Sequence, residues 1–259
     1  MIGGLLRKGN IEEFEFWSSH NVDFMMLSVA YDFFLDEDKF SRVLNLKDKF
    51  GLNLLIHPRP DGQTFQTPAN LESHRLMFEA LERIREAIQE YGLINKVILH
   101  LATYRIPDGD YYTFSEDDAI ANCLSFYRQL REFDDLTFAL ENVYPPGIGW
   151  EELGYEKEHY GMFDIPENFE FCLDTGHLNL SMLEVNDILD LPFKITCLHL
   201  HSNDGKSDQH VPLNRRNFAN WEDIERLLSN DKYIVMEVKN KLEEVRLASK
   251  YLRQNKIAP

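Results

Sequence analysis

Along the chain, short apolar runs alternate with longer stretches in which apolar residues recur every three to four positions. Runs with strand character fall at 1–6, 22–29, 52–57, 96–101, 136–142, 169–174, 194–201 and 233–238. Amphipathic segments lie between or after them, near 11–20, 37–50, 71–91, 116–133, 178–190, 220–230 and 241–254. The clearest is 71–91, where Leu76, Ala80, Leu81, Ile84, Ala87 and Ile88 share one helical face. Alternating strand and helix predict parallel pairing through helical crossovers. Eight such units in 259 residues favour closure over an open sheet, so the expectation is one (β/α)8 TIM barrel domain spanning 1–259. The first run is the least strand-like, because Gly3 and Gly4 interrupt it. The longest irregular stretch, Tyr144 to Asn168, carries Trp150, Tyr155 and Tyr160. In a barrel it would lie over the mouth, either closing on a substrate or packing on itself.

Composition narrows the partners. A hydrophobic content of 44% is enough to bury a large core, and no apolar run reaches the ~18 residues that would span a bilayer. The N-terminal segment places Arg7 and Lys8 after its apolar residues, the wrong order for a secretory signal. Cys123, Cys172 and Cys197 are too few and too scattered for a disulfide framework, so a cytoplasmic location is expected. With 27 basic against 44 acidic residues, the formal charge is −17. Such a surface repels a phosphate backbone, whose binding depends on lysine and arginine displacing counterions. Duplex DNA is disfavoured as a partner, whereas small substrates are unaffected.

The candidate chemistry lies at the strand ends. The third run ends in His57, the fourth in His100, the fifth in Glu141 and the sixth in Asp174, followed by His177. The seventh ends in His199-Leu200-His201 and continues to Asp208 and His210, and the eighth ends in Glu237. In a parallel barrel these ends meet at one mouth, where barrel active sites sit. Buried charges at strand ends are costly unless paired or bound to metal. Imidazole mixed with carboxylate suits zinc, manganese, iron or cobalt better than magnesium or calcium. Cys172 and Cys197 read as core thiols one layer deeper in the barrel, not as ligands.

At these residues the chain resembles the xylose isomerase-like barrel superfamily, which includes endonuclease IV and sugar isomerases and epimerases. The strongest pieces are Asp174-Thr175-Gly176-His177 and His201-Ser202-Asn203-Asp204-Gly205-Lys206, followed by Asp208-Gln209-His210. The endonuclease IV resemblance implies a three-metal site. One ion would take His57, His100 and Glu141; a second would share Glu141 and add Asp174, His201 and Glu237; a third would take His177, Asp208 and His210. It implies two or three divalent transition-metal ions, zinc, manganese or iron. The sugar isomerases resembled would need one ion, on Glu141, Asp174, His201 and Glu237, with His177 near the substrate. The chain departs from endonuclease IV at Val211 to Asn217, which replaces a Gly-rich segment, and its DNA-gripping loop residues have no evident counterpart here.

Two enzymatic readings follow from this resemblance. In the first, clustered ions activate water against a phosphoester of a small molecule. Glu141 bridges two ions and Glu237 holds or deprotonates the water. Arg59, Arg105, Lys206, Arg215 and Arg216, on mouth-side loops, are candidate phosphate ligands. In the second, a sugar-like substrate is isomerised or epimerised, with Glu141 and Glu237 moving a proton beside a carbonyl. A non-catalytic metal- or partner-binding barrel is the third reading, because fold alone does not specify function.

Overall fold

The computed structural model describes residues 1–60, 67–100, 116–143, 168–181, 193–213, 224, 226–228, 231–239, 242 and 246. Eight parallel strands close into a ring in sequence order. They are β1 (Ile2–Leu6), β2 (Phe24–Ala30), β3 (Leu54–Arg59), β4 (Val97–His100), β5 (Phe138–Glu141), β6 (Phe169–Asp174), β7 (Ile195–Leu200) and β8 (Tyr233–Met236). The ring is completed by β1 pairing with β8, Ile2 opposite Ile234. Each strand falls within two residues of its expected run.

The helices described are α1 (Ile11–Ser18), α2 (Tyr31–Leu35), α3 (Glu37–Phe50), α4 (Leu71–Tyr91), α5 (Glu116–Gln129) and α6 (Thr175–Leu180). A 3-10 turn, Leu130–Glu132, extends α5. The starts of α1, α3 and α4 are set by side chains that accept a backbone N–H: Asn10 from Glu13, Asp36 from Lys39 and Asn70 from Glu72. Each such cap is worth about 1 kcal/mol. Helix α2 is not predicted by the pattern, and α6 begins at Thr175, three residues before the amphipathic stretch.

Alternation along each strand sorts the apolar residues into two layers. Outward residues such as Met25, Leu27, Leu54, Ile56, Phe171 and Leu198 pack with the helices. Inward residues, including Met26, Leu55, Ile98, Ala139, Cys172 and Cys197, fill the barrel itself. Gly3 and Gly4 belong to β1 because aromatic rings press on it. A Cβ on Gly3 would lie 2.4 Å from the Phe24 ring, and one on Gly4 would lie 2.3 Å from Trp17. Trp17 Nε1 also donates to the Leu5 carbonyl at 3.0 Å, locking α1 onto β1.

The two ends of the barrel interior are polar. At the N-terminal end, Lys96 Nζ pairs with Glu170 Oε2 and donates to Thr196 Oγ1 at 2.8 Å. Thr196 Oγ1 donates to the same Glu170 oxygen at 2.5 Å, and Lys96 Nζ stands 5.5 Å from the Tyr233 ring centroid. This closed cluster forms the floor. At the C-terminal end the strands deliver the histidines and carboxylates. No helix among the described residues is long and apolar enough to cross a membrane.

Candidate metal centre

At the mouth, one carboxylate oxygen is the hub. Glu141 Oε2 lies 3.1 Å from His199 Nδ1, 3.3 Å from His57 Nε2 and 3.6 Å from His100 Nε2. Glu141, His57 and His199 are all buried, yet this oxygen has no hydrogen-bond partner. Ligand atoms of one tetrahedral ion, each about 2.0–2.1 Å from the metal, stand about 3.4 Å from one another. The spacing at Glu141 therefore fits donors gathered around a cation.

Main-chain carbonyls orient three of the imidazoles. His57 Nδ1 lies 3.2 Å from the Ile98 carbonyl, His177 Nδ1 2.8 Å from that of Asn142, and His210 Nδ1 2.7 Å from that of Glu237. Donation of Nδ1–H to these carbonyls leaves Nε2 as the free lone pair, the arrangement usual behind metal-bound histidine. Asn142 also clasps the end of β6, donating to the Asp174 carbonyl at 2.9 Å and accepting the Asp174 N–H at 2.8 Å. Asp174 in turn caps α6, its Oδ1 accepting the His177 N–H at 2.7 Å.

The segment after β7 folds back to bring in the outer ligands. Ser202 and Val211 exchange backbone hydrogen bonds at 2.8 and 2.9 Å. His210 adopts a left-handed φ of 51°. That conformation costs a residue with a Cβ about 1–3 kcal/mol, and such strain is held mainly at working sites. Asn203 ties this return to α6, donating to the Gly176 carbonyl at 2.8 Å. Gly176 admits the neighbouring imidazole, since a Cβ there would lie 1.9 Å from His201 Cε1.

The nine residues singled out from the sequence all converge on this mouth. His57, His100 and Glu141 form one group whose ligand atoms lie within 4.8 Å of one another. Asp208 Oδ2 lies 3.6 Å from His177 Nε2 and 2.8 Å from His210 Nε2, so those three also meet. The expected shell of Glu141, Asp174, His201 and Glu237 is arranged differently. His201 Nε2 is 3.0 Å from Asp174, but its Nδ1 is 3.7 Å from Asp208 and its ring stacks on His210 at 4.0 Å. The imidazole between Glu141 and Glu237 is that of His199, 3.1 and 3.4 Å away, a residue to which the sequence pattern assigns no role. Arg59 and Lys206 are exposed. Arg105, Arg215, Arg216, Trp150, Tyr155 and Tyr160 lie outside the described residues.

A family profile described as Xylose isomerase-like TIM barrel matches residues 13–255. The chain belongs to this family. Comparison with the curated proteins finds no match. Among solved structures, a D-tagatose 3-epimerase-like protein superposes with a TM-score of 0.73 at 19% identity, covering 99% of both chains. D-allulose 3-epimerase from Methylomonas sp., solved with D-allulose, gives 0.67 at 12% identity, covering 98% of this chain and 96% of that one. Endonuclease IV from Thermus thermophilus gives 0.59 at 15% identity, covering 98% and 99%. At such identities the likeness is one of fold.

The charges at the mouth act on one another. Burial by itself would raise the Glu141 carboxyl, but His199, His100 and His57 together outweigh it and hold the group down to about 2. His199 shows the converse: burial would lower it, and the Glu141 and Glu237 carboxylates raise it to about 10. Burial pushes His100 down to about 3, only partly offset by Glu141, and pushes His57 down as well. Asp174 is held far below the usual carboxylate range: burial opposes this, and His177 and His201 overcome it. His177 and His210 are raised against the effect of burial, chiefly by Asp174 and Asp208 respectively. Without metal, His199, His177 and His210 pair as imidazolium with the carboxylates while His57 and His100 are neutral, so a divalent cation competes with the protons of the first three.

Proposed function

We propose that this protein is a divalent-metal-dependent enzyme whose centre holds two or three ions and hydrolyses a phosphoester of a small molecule. One observation carries the reading. Glu141 Oε2 faces three imidazoles at 3.1, 3.3 and 3.6 Å while a second cluster, His177, Asp208 and His210, lies beside it. A single four-ligand shell does not account for that many converging donors. The mixture of imidazole and carboxylate suits zinc, manganese or iron.

Ions bound there would lower the pKa of water and neutralise charge developing on the leaving oxygen. Glu141, nearly inaccessible, would be the shared ligand at the bottom of the site. The Glu237 side chain is 12% exposed against 2% for Glu141, so it reaches the solvent side and can hold or deprotonate a water. Lys206 and Arg59 stand exposed on the same side and supply positive charge for a phosphate. A formal charge of −17 supports a small phosphorylated substrate over DNA.

The second reading is epimerisation of a sugar or related polyol, favoured by Glu141 and Glu237 flanking one imidazole and by the epimerases among the similar folds. There the two glutamates would remove and return a proton beside a carbonyl. Metal-loaded protein should be given sugar phosphates and free ketohexoses in deuterated water. Release of inorganic phosphate supports hydrolysis. Deuterium incorporation into a ketohexose with no phosphate release supports epimerisation and overturns the first reading.

A further inference from the structure

Between the floor and the mouth the barrel holds a pair of thiols that neither end uses. Cys172 on β6 and Cys197 on β7 are register partners across two adjacent parallel strands. Both pack inside the barrel with Leu55, Ile98, Ala139 and Val235, and both are fully buried and free. Each thiol is the other's side-chain neighbour. Cys123, the third cysteine, belongs to α5, outside the ring of strands.

A disulfide needs Cα atoms roughly 4.4–6.8 Å apart. Neighbouring strands stand about 4.8 Å apart, inside that window. Two further features favour closure here. The pair faces the concave side of a closed ring, where side chains from adjacent strands converge instead of splaying. The β6–β7 register also shifts, so that Phe171 faces Ile195 while the next residue, Cys172, faces Cys197. Such an irregularity bends a strand locally and lets the backbone adjust. Access comes from above. Cys172 Sγ lies within 4.8 Å of ligand-type atoms of Glu141 and His199, so it borders the bottom of the mouth. An oxidant little larger than water is the kind that reaches it.

We propose that Cys172 and Cys197 are a reversible redox pair, which hydrogen peroxide joins into a disulfide strapping β6 to β7 beneath the mouth. One thiol gives up its proton and attacks a peroxide oxygen; the O–O bond breaks, leaving a sulfenic acid and water. The second thiol displaces that oxygen, forming the S–S bond and releasing a second water. Two thiols lose two electrons in all, and the peroxide gains them as it becomes two molecules of water. A dithiol reductant reverses the step by exchange. The bond ties residues 25 positions apart and encloses α6. It forms whether or not the mouth binds metal.

The test uses full-length wild type, reduced and then exposed to hydrogen peroxide under native conditions, with circular dichroism as the fold control. Alkylation in denaturant followed by intact mass should find three thiols before oxidation and one after, independent of protein concentration. Peptide mapping should join the Cys172 and Cys197 peptides, and dithiothreitol should restore all three thiols. The oxidised form should unfold at a higher urea concentration than the reduced form, because the cross-link restricts the unfolded chain. Cys172→Ala and Cys197→Ala, where folded, should form no internal cross-link under the same treatment. Three thiols persisting in folded wild type under excess peroxide overturn the proposal, as does a disulfide that includes Cys123 or irreversible oxidation of single cysteines. A linked form that unfolds at lower urea overturns the strap.

Discussion

The floor and the mouth of this barrel both bury charge, but they treat it oppositely. At the floor, Lys96, Glu170 and Thr196 satisfy one another directly. At the mouth, Glu141 Oε2, both His199 nitrogens, His201 Nδ1 and Glu237 Oε1 are buried without a hydrogen bond, although imidazole and carboxylate stand close; among the described residues the only other such side-chain atom is His74 Nδ1. Buried polar atoms are nearly always paired, because an unpaired one costs about 1–3 kcal/mol. A closed cluster is complete as a piece of structure. An open one, with five such atoms in a single place, has donors that could hold a cation.

The strongest way to break this contrast is to remove the hub of the mouth. Glu141→Gln should lose the inner metal and lower turnover roughly a thousandfold or more, the equivalent of about 4 kcal/mol of transition-state stabilisation. Metal analysis and steady-state kinetics check it, and a variant retaining metal and rate would show that Glu141 is not the hub. The floor should respond in the reverse sense. Lys96→Met leaves the partly exposed Glu170 without its cationic partner but still held by Thr196, which should cost about 1–3 kcal/mol in urea unfolding, towards the low side for a carboxylate that is 21% exposed. Metal content should be unchanged, so a loss of metal would mean that the two ends are not independent.

A smaller effect comes from pH. Because His199 is raised to about 10, and His177 and His210 are also raised, metal binding must expel protons from imidazolium groups. Apparent affinity should climb with pH through the neutral range, by up to about tenfold per unit for each proton displaced. Isothermal calorimetry in buffers of different ionisation enthalpy counts those protons, and a pH-independent affinity would contradict the open mouth. In the metal-free protein the signs differ by group. Stability from the raised His199 is fully present below about 6.5 and is lost as pH rises through about 10. Stability from the lowered Glu141 is present above about 4.5 and is lost as pH falls through about 2. Smallest of all should be any affinity for duplex DNA. Three divalent ions would bring −17 + 6 to −11, still repulsive to a polyanion. A gel-shift and incision assay on abasic-site DNA at moderate salt should show weak binding, and efficient incision would point to a local basic surface that outweighs the net charge.

Much of the mouth is legible in the sequence because strand ends and ligand-type residues coincide at His57, His100, Glu141, Asp174 and Glu237. His199 escapes that reading for a specific reason. The segment from His201 to Lys206 carries the family-like pattern and holds the reading to His201, while two-residue alternation from Cys197 turns His199 inward as well, where it stands between Glu141 and Glu237. The floor is not legible. Lys96 and Glu170 are 74 positions apart, and only the closure and stagger of the barrel bring them together. Helix α2 is five residues long, too short for any apolar period to register, and rests on buried Tyr31 and Phe34.

Gly176 has a consequence at the level of the genetic code. The His201 ring lies where any Cβ at position 176 would be, 1.9 Å from Cε1. Every single-base change in a glycine codon that replaces the glycine introduces either a side chain or a stop. No one-step mutation therefore leads away from this residue without moving an imidazole of the centre. A lineage that kept the centre working could change Gly176 only after His201 had first given up its place.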